Sequence, residues 1–93
     1  MASHIDEWCE FHLDNPHVYD KLVSLAREAR RKGHKKIGIK MLFEVVRWEH
    51  MMKTSDAHSS FKLNNNYHSY YARLIMSENP DLAGIFETRT LKP

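Results

Sequence analysis

Asn15-Pro16 and Gly33 bracket the stretch of this chain whose conformation is closest to dictated by its residues. Proline presets a helical φ and lacks the N–H that a first helical turn leaves unpaired, and an asparagine before it suits the N-cap. Val18, Leu22, Leu25, Ala26 and Ala29 then recur at helical spacing, and Gly33 suits the left-handed position that ends many helices. The spacing predicts a helix over 16–32 with one apolar stripe, and the rest of the chain must pack on that stripe. Arg30, Arg31 and Lys32 in the last turn complement the negative end of the helix dipole.

A second helix is predicted over 39–52. Ile37 precedes Gly38, and Leu42 lies four residues beyond it, the spacing of a hydrophobic staple around an N-cap. This helix is apolar on two sides. Ile39, Leu42, Phe43, Val46 and His50 form one face, and Met41, Val45, Trp48 and Met52 form another nearly opposite, with Lys40, Glu44 and Arg47 in a strip between them. Such a helix is central to its fold or covered by a partner. Within one chain the cover would be an N-terminal helix of about 4–12, opened by a capping-box-like Ser3 and Asp6 and presenting Ile5 and Trp8. Without that cover, the Met41–Val45–Trp48–Met52 face is an interface with a host protein or with a second copy, as a homodimer.

Phe61 and Leu63 flank Lys62 in the alternation of a short strand, and Asn64, Asn65 and Asn66 offer N-caps to a helix over 66–78. Tyr67, Tyr70, Tyr71, Leu74 and Ile75 give that helix an apolar face, and Ser69, Ala72, Arg73 and Met76 lie opposite. Asn79-Pro80 ends it. Beyond Gly84, Ile85–Arg89 reads as a second strand, whose partner would be Phe61–Leu63 in an antiparallel ribbon. The expectation is one domain over 1–93, with an N-terminal helical arm (1–14) and a core (15–91). It is mainly α within the α+β class: three to four helices and a two-stranded ribbon. The likeness to a helix-turn-helix or winged-helix module is one of architecture alone, because the link between the 39–52 and 66–78 helices is about thirteen residues against the usual three or four.

The chemistry of the chain points to binding rather than catalysis. There is no phosphate-binding glycine loop, nucleophile elbow or paired metal-ligand motif, and the seven histidines share no spacing, so no catalytic residue and no cofactor is expected. Cys9 and His12 stand three apart, but one cysteine excludes a disulfide framework and makes a poor metal site. They are read as a buried thiol beside a helix-end histidine, with no metal. No apolar run reaches membrane-spanning length and the start of the chain is acidic, so a soluble, cytoplasmic protein is expected.

Net charge is only +2, but it is unevenly distributed. Asp6, Glu7, Glu10, Asp14 and Asp20 occupy the first twenty residues with no Lys or Arg. Arg27, Arg30, Arg31, Lys32, Lys35, Lys36 and Lys40 are half of the 14 basic residues. That cluster suits phosphate contacts, and Asn64, Asn65, Asn66, His68, Ser69 and Arg73 at the following helix can read base edges or phosphates. The first expectation is therefore a non-enzymatic nucleic-acid-binding protein, duplex DNA being its partner. The alternative is a protein-interaction module acting through Met41, Val45, Trp48 and Met52.

The segments Asn15-Pro16…Val18-Tyr19, Ile39-Lys40…Leu42-Phe43-Glu44…Arg47-Trp48-Glu49, Phe61-Lys-Leu-Asn-Asn-Asn-Tyr67…Tyr71-Ala-Arg-Leu-Ile-Met76 and Pro80…Leu82…Phe86-Glu87…Arg89 together resemble a family of short, largely uncharacterised phage- and prophage-encoded proteins, over residues 15–91. The resemblance implies a viral origin and the host cytoplasm as setting. It carries no site and no activity with it.

Overall fold

Helix α2 (Pro16–Arg31) is built as its sequence dictates at the C-terminal end and differently at the N-terminal end. The computed structural model describes residues 4–53 and 63–86. Gly33 takes φ +96°, and the backbone N–H groups of Gly33 and His34 donate to the carbonyls of Arg30 and Ala29, the paired closure of a Schellman motif. Asn15 does not cap α2 with its side chain. Its Nδ2 donates instead to the Phe11 carbonyl at 3.1 Å, alongside its own backbone N–H at 2.8 Å. Asn15 thus closes the end of α1 (His4–Asp14), and one asparagine makes the corner between two helices. Ser3, expected to cap α1, lies outside the described residues.

Helix α3 (Ile39–Lys53) buries Leu42, Phe43 and Val46 against α2, which contributes Val18, Leu22, Val23 and Ala26. Helix α4 (His68–Glu78) follows a 3-10 turn over Asn65–Tyr67. Asn64 is the cap here, its side chain accepting from the Asn66 N–H at 2.8 Å. The predicted start at 66 is therefore delayed by one tight turn. That turn lets Tyr67 enter the core before the α-helix begins.

A second 3-10 turn, Pro80–Leu82, carries the chain back across α2. Asn79 donates to the Ile75 carbonyl from both its backbone and its side chain, and Arg27 of α2 holds it at 2.8 Å. Leu82, Ile85 and Phe86 then fill the core beside Ile75.

Among the described residues the fold is mainly α, four helices, with no strand. Residues 54–62 and 87–93, including most of the expected ribbon, lie outside them. Where the second expected strand is described, Phe86 pairs with Ile37 in a single parallel bridge, and the Ile37 N–H donates to Ile85 at 2.9 Å. Ile37, expected as a staple residue, has a second role. Its position after the Schellman turn also brings its backbone to Ile85 and Phe86.

Helix α1 lies on α4 and on the turn before it. The Trp8 ring meets Tyr70 at 5.4 Å and Tyr71 edge-on at 5.6 Å, and Phe11 meets Tyr67 at 5.2 Å. Two expectations fall here. Trp8 is committed to α4 and cannot cover the outer face of α3, and Ile5 is itself 48% exposed. Cys9 is exposed rather than buried, while His12 is held between Trp8, Tyr19 and Tyr71.

Tyr71 is fully buried at the meeting of α1, α3 and α4, with Phe43 edge-on at 5.8 Å. Burial, and then the neighbouring Tyr67, pushes its phenol well above the ordinary range; the Trp8 indole acting on the hydroxyl opposes that rise, but no hydrogen bond of normal geometry joins the two. A buried unpaired polar group costs stability, whereas the ring that carries it supplies packing. Replacing Tyr71 by Phe should therefore leave the urea midpoint unchanged or raise it, while Tyr71→Ala should cost about 3–5 kcal/mol.

Candidate functional site

The basic residues of α2 are largely engaged within the chain. Arg27 pairs with Asp81 at 3.0 Å and holds that carboxyl below its usual range, chiefly by hydrogen bonding. Arg30 donates to the carbonyls of Lys35 and Ala83, at 3.1 and 2.9 Å, tying the glycine turn to the residue after the Pro80–Leu82 turn. Lys32 lies 3.5 Å from Glu28 one turn earlier. Arg31, Lys35, Lys36 and Lys40 have exposed side chains. Of the expected phosphate-contacting set, Arg30 thus acts as a structural clamp, because a planar guanidinium can bridge two carbonyls that converge from different segments.

The polar corner before α4 is likewise partly consumed. Asn64 is the cap already described. Asn65 Oδ1 accepts from Arg47 at 2.6 Å, and the same guanidinium donates to the Leu63 carbonyl and pairs with Glu44 at 2.7 Å. Asn66 and Arg73 are exposed, and Ser69 is half-buried. The face expected to lie open opposite the tyrosines is open only in part, since Ala72 is buried and Met76 packs on the core while Arg73 is exposed. Tyr67 is raised by burial and then by the charges of Glu7 and Glu10, which places two carboxylates of α1 near this corner.

His68 sits between the corner and α3. Its ring packs edge-on to Phe43 at 4.3 Å, and Nε2 is buried without a partner. Burial lowers its pKa most, the cations of Arg47 and Lys40 lower it further, and Glu44 opposes them. Lys40, Glu44 and Arg47 therefore share one side of α3 with the start of α4.

Among the described residues nothing covers the remaining side of α3. Met41, Trp48 and Met52 are 57%, 59% and 62% exposed, and Val45 is half-buried beside them. Met51, which was left out of the expected face, is 61% exposed and joins Met41, Val45 and Trp48 around an open groove of about 560 Å³ rimmed by Glu44 and Arg47. A further groove, lined by Leu25, Ile37 and Lys36, meets the first at Met41. Met51 was legible in principle, three residues beyond Trp48 and so on its side of the helix. Among the described residues no helix is long and apolar enough to cross a membrane.

No family model, curated protein or solved structure matches this chain, so the functional reading rests on its own residues.

The environment of His68 makes stability depend on pH with a definite sign. Its folded pKa lies below the unfolded value of about 6.5, so the unfolded chain binds the proton first. The stabilisation is present above that value and is lost as pH falls from it toward the folded pKa. Thermal midpoints should fall as the buffer is taken below pH about 6.5, and His68→Gln should flatten the decline over that window.

Proposed function

We propose that this protein is a non-enzymatic protein-interaction module whose contact surface is the outer face of α3. The observation that carries this reading is the exposure of Met41, Trp48, Met51 and Met52 on one helix, with α1 docked elsewhere. Clustered exposed apolar side chains raise the free energy of the free protein in water, and burial against a partner removes that cost. Tryptophan is enriched among residues that dominate interfaces, and methionines adapt their shape to the surface they meet. Glu44 and Arg47 at the rim supply polar edges. In the phage setting implied by the resemblance, the partner is a host polypeptide or another copy of the chain.

A photo-reactive phenylalanine analogue at position 48 tests this. In cells making the protein it should give a discrete covalent adduct with a polypeptide, and the same group at exposed position 31 should not. Equal labelling at both positions, or none at 48, would remove the reading.

A second reading, duplex DNA binding, has one observation in its favour. Lys40 acts electrostatically on His68, so the end of the basic turn and the start of α4 lie on the same side. Arg31, Lys35 and Lys36 add exposed cations on the approach to Lys40. The expected winged-helix-like arrangement belongs to this reading. In a gel-shift titration, duplex binding should weaken with salt by roughly 0.9 log units per phosphate contact per decade. Lys35→Gln with Lys36→Gln should weaken it for all sequences alike. No shift at low salt would exclude this reading.

A further inference from the structure

One face of α2 lines a groove separate from the outer side of α3. Asp20, Ser24, Arg27 and Arg31 recur along it at helical steps, Arg30 joins them, and Asn79 and Asp81 form the opposite wall. The open groove holds about 660 Å³. That is the size of a small-molecule site, and far more than one bare oxyanion fills.

Three guanidinium groups meet in this groove. Arg27 donates to Asp81 at 3.0 Å and to Asn79 at 2.8 Å, and Arg30 donates to the carbonyls of Lys35 and Ala83. Each thereby commits two of its five N–H bonds and is fixed in place with the others unspent. The charge of Arg30 also acts on the Asp81 carboxyl, after the hydrogen bond from Arg27, so both cations work at one place. Arg31, one turn beyond Arg27, is exposed and makes no hydrogen bond or ion pair among the described residues. Pre-positioned donors beside a free guanidinium can take an oxyanion without ordering every contact anew.

The other end of the groove has the opposite charge. Asp20 is exposed, also has no partner among the described residues, and stands eleven residues before Arg31, about 16 Å along the helix. That separation is too long for an ion pair. A free carboxylate and a free guanidinium therefore line one cavity from its two ends. Three arginines against Asp20 and Asp81 leave the lining at +1, three minus two. One phosphoryl group at the arginine end suits that balance better than a run of phosphates.

We infer that this groove binds a small two-ended ligand, a phosphomonoester seated at Arg27, Arg30 and Arg31 whose far end offers N–H donors to Asp20, the chemistry of a nucleoside monophosphate. The site is independent of the α3 face and is tested apart from it. Adenosine monophosphate, inorganic phosphate and adenosine are each titrated into isotope-labelled protein at constant ionic strength, and the arginine Nε–H resonances are followed. The monophosphate should shift the Arg27 and Arg31 signals saturably and bind more tightly than phosphate or adenosine. Arg31→Gln should weaken it about tenfold, the scale of one charge-assisted contact. Asp20→Ala should weaken the monophosphate and leave phosphate binding no weaker than before. Neither side chain holds the fold together, so both variants should keep the thermal midpoint of the parent, which separates a lost contact from a lost structure.

Absence of a saturable shift with the monophosphate overturns the site, as does full binding by Arg31→Gln or an equal loss on Lys40→Gln, outside the groove. The two-ended ligand is overturned where phosphate binds as tightly as the monophosphate, or where Asp20→Ala leaves monophosphate binding unchanged.

Discussion

The edge-on packing of aromatic rings around Tyr71 is the interaction on which the rest of this structure depends. Trp8 and His12 reach it from α1 and Phe43 from α3. Each pair brings the positive edge of one ring to the negative face of another, a geometric preference added to the large area that aromatic side chains bury. In a chain of 93 residues one such centre fixes the placement of three helices at once. It also draws α1 onto α4, and the exposure of the outer side of α3 follows directly.

Polar side chains close the fold around that centre. Asn15, Arg27, Arg30, Asn64 and Asn79 each satisfy or clamp backbone and turn groups where helices stop. The ends of short helices leave many N–H and C=O groups unpaired, and a small domain has many ends for its length. Residues that look like ligand contacts in a linear reading are therefore drawn into internal work. Arg47 is the clearest case, serving Glu44, Leu63 and Asn65 together. What it leaves is a neutralised rim beside an apolar groove.

Much of the helical framework was legible. The Asn15-Pro16 start, the Gly33 stop and the Val18–Leu22–Ala26 stripe describe α2 within a residue, because caps and periodicity are local signals. The two-sided pattern of α3 was legible for the same reason, and four members of its outer face were named from spacing alone. The error lay in its cover. Ile5 and Trp8 have the right character to pack on α3, and only their actual distances show that the tyrosines of α4 hold Trp8 instead.

Sequence by itself determined where the four helices run, which face of α2 is buried, and that α3 is apolar on two sides. Those properties follow from steric preference and helical period within a few residues. The tertiary structure decided which side of α3 remains open, which arginines and asparagines are spent on the fold, and that Ile37 meets Phe86. These are competitions between groups far apart in the chain, settled by burial and hydrogen-bond geometry in three dimensions, and no local pattern encodes their outcome.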